Sequence, residues 1–197
     1  MAIKMTAGAS DQPANRVTIH GVQLRRLAMN HDARGCFTEL YSNAWGLPIE
    51  PVQWSLVASS RKVLRGMHLH LRHDEYITVV QGRACIGLYD LRPDSPTRNV
   101  SSLIELDGNS LYGLCFPRGV LHGWYFHEDG IHLQAVSERY DDYHPEDNLG
   151  CRWSDAELNI PWPDRSPIVS ERAASFPSLR ELADSLWKKD GALERKP

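Results

Sequence analysis

Between Arg16 and Ser137 the apolar residues fall in short runs that alternate with polar ones, the period of half-buried β-strands rather than of helices. YITVV stops at Gln81-Gly82 and resumes as RACIGLYD; VSSLIEL stops at Asp107-Gly108-Asn109 and resumes as SLYGLCF; HGWYF stops at Glu128-Asp129-Gly130 and resumes as IHLQAV. Each break carries turn residues, so the pattern predicts a succession of β-hairpins. Strands at regular spacing with no helical stretch between them predict an all-β sandwich or barrel, whose closure removes exposed sheet edges. The period changes once. In SFPSLRELADSLWKK, after Pro177 and Ser178, Leu179, Leu182, Leu186 and Trp187 recur every three to four residues. That spacing predicts a short C-terminal amphipathic helix packed on the outside of the barrel. The ends are polar or charged, so one domain is expected over residues 16–188, between flexible tails at 1–15 and 189–197.

Composition narrows the partners. The 197 residues carry 22 Lys and Arg against 25 Asp and Glu, a formal charge of −3. This balance is too even to announce a nucleic acid or an anionic membrane, so any anion must be met by local charge. No run of about 18 apolar residues offers a membrane span, and the opening MAIKMTAGASDQPAN lacks the apolar core of a signal peptide, so a cytoplasmic location is expected. Cys36, Cys85, Cys115 and Cys151 stand far apart with no CxxC, which predicts reduced, mostly buried thiols.

The chemistry concentrates in HLHLRHDEYITVVQG. His68 and His70 are two apart, so on a strand both rings point to one face. Glu75 follows after a short turn, and Gly82 closes that hairpin. In PRGVLHGW, the Pro117-x-Gly119 turn would feed a strand whose first inward residue is His122. One divalent ion (Zn, Fe, Mn, Ni or Co) held by His68, His70, Glu75 and His122 is what this donor set suits, with positions left for substrate or water. The two stretches resemble the paired motifs of the cupin superfamily, G-x5-H-x-H-x4-E-x6-G and P-x-G-x2-H; only the leading glycine of the first is missing. The resemblance implies a double-stranded β-helix, or jelly-roll, barrel. For His20, His31, His73, His127, His132 and His144 surface or packing roles are expected, with His132 the one that alternation can turn into the barrel.

Longer segments, from about Asp32 to Pro177, are similar to the dTDP-4-dehydrorhamnose 3,5-epimerase family. Among them are D-A-R-G-C-F-T-E from 32, V-L-R-G-M-H from 63, D-L-R-P-D-S-P-T from 90 and F-P-R-G-V-L-H-G-W from 116. The resemblance implies that Arg34, Phe37, Glu39, Gln53 and Arg65 serve the diphosphate and base of a nucleotide. Guanidinium forks suit phosphate oxygens, and Phe37 or Tyr143 can stack on a base. It also implies a homodimer that exchanges N-terminal strands, here within Val17 to Leu40.

The chain departs from that family at four places. His68 matches the family's catalytic base, but Ala173, in V-S-E-R-A, stands where an aspartate should hold it. The alignment puts Ser137 at the family's acid tyrosine, Glu75 at a lysine and His70 at a glutamine. A histidine bound to a cation has no lone pair for proton abstraction. The expectation is therefore an ion that stabilises the enediolate of a nucleotide-linked 4-keto-6-deoxy sugar. His68 and His122 would sit at the catalytic centre, with Tyr140, Tyr143 or His132 moving the proton. The function expected is a metal-dependent isomerase or epimerase of deoxysugar or surface-polysaccharide biosynthesis. The alternatives are a metal-dependent cupin oxygenase on a small oxygenated substrate and a non-catalytic nucleotide-sugar binder, while Ala173 and Ser137 argue against an ordinary metal-free 3,5-epimerase.

Overall fold

The computed structural model describes residues 17–142 and 147–190. Two five-stranded sheets face each other. The first runs in the order β1 (Gln23–Arg26), β9 (Tyr112–Phe116), β6 (Glu75–Gln81), β11 (Gly130–Val136) and β4 (Gln53–Ser59). The second runs β12 (Leu149–Gly150), β5 (Leu64–Leu69), β10 (Val120–Phe126), β7 (Arg83–Asp90) and β8 (Ser101–Asp107). A separate two-stranded hairpin is made of β2 (Met29–Asp32) and β3 (Gly35–Thr38). The pairings between these strands are antiparallel, and the expected all-β jelly roll is what forms.

The expected hairpins do not form where the turn signals stand. β6 and β7, β8 and β9, and β10 and β11 each lie in opposite sheets. Turn residues specify that the chain reverses, not which neighbour it then pairs with. Crossing between sheets lets the alternating faces of β6, β7, β9 and β10 meet in one core of Ile77, Val79, Ile86, Leu88, Ile104, Leu114, Phe116 and Phe126. The outer face of the second sheet is covered as well. Met67, Leu69 and Leu121 pack there against Leu158 and against Leu179 and Leu182 of helix α2 (Leu179–Asp190), which follows the short helix α1 (Glu171–Ala174). The helix thus occupies the outer position that its period predicts; the Trp187 side chain and the tails, apart from 189 and 190 in α2, lie outside the described residues. Cys85, Cys115 and Cys151 are buried and free, whereas Cys36 is exposed.

Candidate functional site

β5 and β10 pair with His68 opposite His122. Their closest approach is at Gly66, where φ is +126° and an added Cβ would fall 2.6 Å from Gly123 Cα; only glycine fits there. Strand alternation then turns His68 into a cavity of about 550 Å³ that is also lined by Arg65, Trp124, Gln134, Arg172, Ala173 and Phe176. The imidazole stands edge-on to Trp124 and to Phe176, each at 6.0 Å between ring centroids. Burial, with His122 and His70 adding to it, pushes its pKa down to about 3, so at neutral pH the ring is neutral and carries a lone pair. Both pocket guanidiniums are anchored. Arg65 donates to Ser59 Oγ at 3.1 Å and to Ala58 O at 3.2 Å. Arg172 donates to Asn148 O at 2.8 Å and lies over the Phe176 ring at 5.4 Å. With two fixed cations and no carboxylate in its lining, the cavity is built to receive an anionic ligand.

A second group of polar side chains is buried in the same barrel but does not line that cavity. It is drawn together from both sheets. Gly119, at φ +80°, closes the turn before β10 and donates its N–H to His70 O at 2.7 Å, which brings the end of β5 to the start of β10. His70 Nδ1 lies 2.7 Å from Asp147 O, and His122 Nδ1 lies 3.1 Å from Val120 O. Asp147 also accepts from the Leu71 N–H at 2.5 Å and stands 3.0 Å from His73 Nδ1. Glu75, from β6 of the opposite sheet, accepts from Gln134 Nε2 at 2.7 Å through Oε2. Its other oxygen faces three imidazoles: His70 Nε2 at 3.3 Å, His122 Nε2 at 3.4 Å and His73 Nε2 at 3.5 Å.

Of the four expected metal donors, His70, Glu75 and His122 therefore converge, with ligand atoms within 4.8 Å of one another. His68 is not part of that group. Two inward residues on one strand stand about 6.6 Å apart along it, and the contact with Asp147 O holds the His70 ring in the cluster while His68 stays with Trp124 and Phe176. His73, expected on the surface or in packing, is buried in the cluster instead. The signal for it was available: His73 is two residues before Glu75, the same spacing as His68 and His70. His122 is the second inward residue of β10, after Val120, which packs in the inter-sheet core. His132 does point into the barrel, between Trp124 and Phe126, and burial, with Arg65 adding to it, lowers its pKa to about 4.

Ser137 does not take the place of an active-site acid. Its hydroxyl accepts from the Asp74 N–H at 2.9 Å, and Gln134 is the β11 side chain that reaches the cavity, because His132 and Gln134 share the inward parity and Ser137 does not. Tyr140 is exposed and outside the cavity lining, with its backbone N–H donating to Gln53 Oε1 at 2.7 Å. Tyr143 and His144 lie outside the described residues. Of the nucleotide residues, Arg65 lines the cavity, whereas Arg34, Phe37 and Glu39 are exposed at or just after the β2–β3 hairpin. Arg34 there pairs with Asp32 at 2.5 Å.

A profile of the family described as dTDP-4-dehydrorhamnose 3,5-epimerase matches residues 16–181. The dTDP-4-dehydrorhamnose 3-epimerase of Streptomyces niveus is 31% identical over 162 residues, which cover 78% of this chain and 77% of that protein. The dTDP-4-dehydrorhamnose 3,5-epimerase of Escherichia coli K12 is 28% identical over 162 residues, covering 78% and 86%. Among solved structures, a 4-keto-6-deoxy sugar epimerase from the novobiocin biosynthetic gene cluster of Streptomyces spheroides superposes with a TM-score of 0.79 at 27% identity, over 92% of this chain and 94% of that one.

Proposed function

The chain belongs to the dTDP-4-dehydrorhamnose 3,5-epimerase family, and from that premise we propose that His68 is the base with which it epimerises a nucleotide-linked 4-keto-6-deoxy sugar. It is an epimerase, an isomerase-class enzyme, of deoxysugar or polysaccharide biosynthesis. The observation that carries the role of His68 is its position in the cavity. Among the described lining residues it alone offers a neutral basic nitrogen, and the charged groups there are the guanidiniums of Arg65 and Arg172.

The chemistry follows from that lining. A C–H next to the C4 ketone is acidified by the carbonyl, and the neutral His68 imidazole removes its proton to leave an enolate. Arg172, whose charge reaches His68, stabilises the oxygen on which negative charge develops. Arg65 takes a phosphate oxygen of the diphosphate. Return of a proton to the opposite face of the carbon inverts its configuration. That proton comes from water, since the described lining offers no second acid. The ion-bound enediolate expected from the sequence required His68 on the ion, and the converging donors do not include it. An oxygenase reading requires an ion open to substrate, whereas His70, Glu75 and His122 are buried and do not line the cavity.

We also propose that two copies complete each nucleotide site. Val52, Trp54 and Leu56 are exposed on and beside the edge strand β4, and Phe37 is exposed on the β2–β3 hairpin, a distribution that suits an interface with a second copy. A monomer in light scattering at micromolar concentration would refute the pairing.

The decisive assay follows proton exchange in deuterium oxide with dTDP-4-keto-6-deoxyglucose, read by mass spectrometry and NMR. The wild type is expected to place deuterium on a carbon flanking the ketone. His68→Asn is expected to slow that step by about 10²–10⁴, the usual contribution of a positioned base. Undiminished exchange in His68→Asn would refute the assignment.

A further inference from the structure

The two sheets that face each other across the cavity bring it different chemistry. The second supplies Arg65 and His68 from β5 and Trp124 from β10, and α1, which packs against β5, adds Arg172 and Ala173. From the first sheet the described lining takes only Val57 of β4 and Gln134 of β11. We propose that Gln134 is the positioning residue for inversion: it holds the water that returns a proton to the sugar carbon on the face away from His68. This deepens the reading of His68 as base and rests on it.

Placement is the first argument. The carbon that has lost its proton is planar in the enolate, so the proton can return to either of two faces. An enolate held between the sheets with one face to His68 turns the other to Val57 and Gln134. Val57 has no polar side-chain atom with which to fix a water, which leaves Gln134 as the polar side chain of that wall among the described lining residues. β11 is paired on both sides, with Gln134 opposite Ser55 of β4 and Ile77 of β6, so the side chain projects from a rigid element.

Orientation is the second. A carboxamide has a donating end and an accepting end, and its neighbours decide which way round it lies. Gln134 Nε2 donates to Glu75 Oε2 at 2.7 Å. Glu75 is itself held, since its other oxygen faces His70, His122 and His73 at 3.3, 3.4 and 3.5 Å. A carboxylate oxygen can only accept, so the amino end of Gln134 is committed to Glu75 and the carbonyl oxygen Oε1 is left for the cavity. Glu75, buried and outside the cavity lining, thereby sets the polarity of a wall that it does not reach.

The carboxamide neither gives nor takes a proton. Oε1 accepts one O–H of the water and leaves the other O–H directed at the carbon. His68 gains an N–H as the substrate C–H breaks, and a water O–H breaks as the new C–H forms on the opposite face. The hydroxide left behind sits in the positive field of Arg65 and Arg172. It is neutralised by the proton that His68 then releases to solvent, which returns base and water to their starting forms.

The test separates exchange from inversion. dTDP-4-keto-6-deoxyglucose is incubated in deuterium oxide with wild type, Gln134→Met and Gln134→Asn, with circular dichroism confirming each fold. NMR counts deuterium in sugar of the original configuration and in sugar of the inverted one. Without the amide, His68 still removes the proton and returns deuterium to the same face. Gln134→Met is therefore expected to keep exchange within about threefold of wild type while inversion falls by about tenfold or more. Gln134→Asn withdraws the carbonyl by one methylene and is expected to move the ratio of inversion to exchange in the same direction; it carries the test if Gln134→Met does not fold. A general structural defect lowers both rates and leaves their ratio alone. Inversion undiminished in the folded variants would overturn the proposal, as would exchange and inversion falling together with a raised KM, which would make Gln134 a contact to a substrate hydroxyl. Failure of the His68 reading looks different: exchange that His68→Asn does not slow, whatever the ratio in the Gln134 variants.

Discussion

Asp90 is the residue whose charge should be felt furthest from where it lies. It ends β7, is inaccessible to solvent, and accepts from Arg92 Nε and Nη2 at 2.8 Å each, from Ser95 Oγ at 2.5 Å and from Thr97 Oγ1 at 2.7 Å. The Arg92 chain that it holds packs under Gly119, where an added Cβ would fall 2.5 Å from Arg92 Cγ, and Gly119 in turn ties His70 to the head of β10. Burial alone would raise the pKa of Asp90, but the bonds from Arg92, Ser95 and Thr97 outweigh it and bring the value from 3.8 to about 2. A displacement of that size corresponds to about 2 kcal/mol. Because the folded value lies below the unfolded one, this stability is fully present above the unfolded pKa and is lost as pH falls through the folded one. Asp90→Asn keeps the shape and removes the charge. It should lower stability by about 2 kcal/mol at pH 7, or about 4–8 °C in Tm for a chain of this size. Urea unfolding followed by tryptophan fluorescence at pH 7, 4, 3 and 2 provides the check. The gap between wild type and variant should be roughly half gone at pH 3 and nearly closed at pH 2. A gap that stays constant from pH 7 to pH 2 would refute the electrostatic account and leave only a packing defect.

Two further outcomes follow from the cavity wall. Ala173 lines the pocket with His68 and is 3% exposed, so Ala173→Asp should give the imidazole the carboxylate partner that the family resemblance implies. A partner that orients the ring and favours its protonated form should speed deuterium exchange by about tenfold or more; an unchanged or slower rate in a folded variant counts against the placement of His68. Gly66→Ala forces a Cβ to 2.6 Å from Gly123 Cα at a φ of +126°, which strain and overpacking together should make destabilising by about 3 kcal/mol or more. A thermal melt within 2 °C of wild type would show that the two strands can separate there without cost.

Strand period was legible from the sequence because it reports which side of a strand is buried, and that depends on local alternation alone. The pairing was not. The Gln81-Gly82 and Asp107-Gly108-Asn109 signals mark sharp reversals whether the next strand joins the same sheet or the facing one, and β6, β7, β8 and β9 take the second course. What decides it is the need to bury both inward faces in one core, a property of the whole chain. The outer helix was legible for the complementary reason: the 3.6-residue period of Leu179, Leu182 and Leu186 is local, and it marks one apolar stripe, which packs on the outer face carrying Met67, Leu69 and Leu121.

The site shows a sharper limit of the same rule. Spacing by two places His68 and His70 on one face but says nothing of how far each ring leans, and a lean of a few ångströms separates a ring that faces a ligand cavity from one that faces a carboxylate. The substitutions at 75 and 173 look alike in the sequence, since each changes a charged position of the family. In space they differ. Ala173 lies on the cavity wall, so its lost carboxylate is lost from the reaction. Glu75 is turned into the cluster, bonded by Gln134 and surrounded by His70, His73 and His122. The negative charge that replaces the family's lysine therefore never enters the cavity. The pocket keeps Arg65 and Arg172 with no carboxylate in its lining, and its positive field, which a sugar diphosphate and an enolate both require, survives a substitution that the sequence alone would read as reversing it.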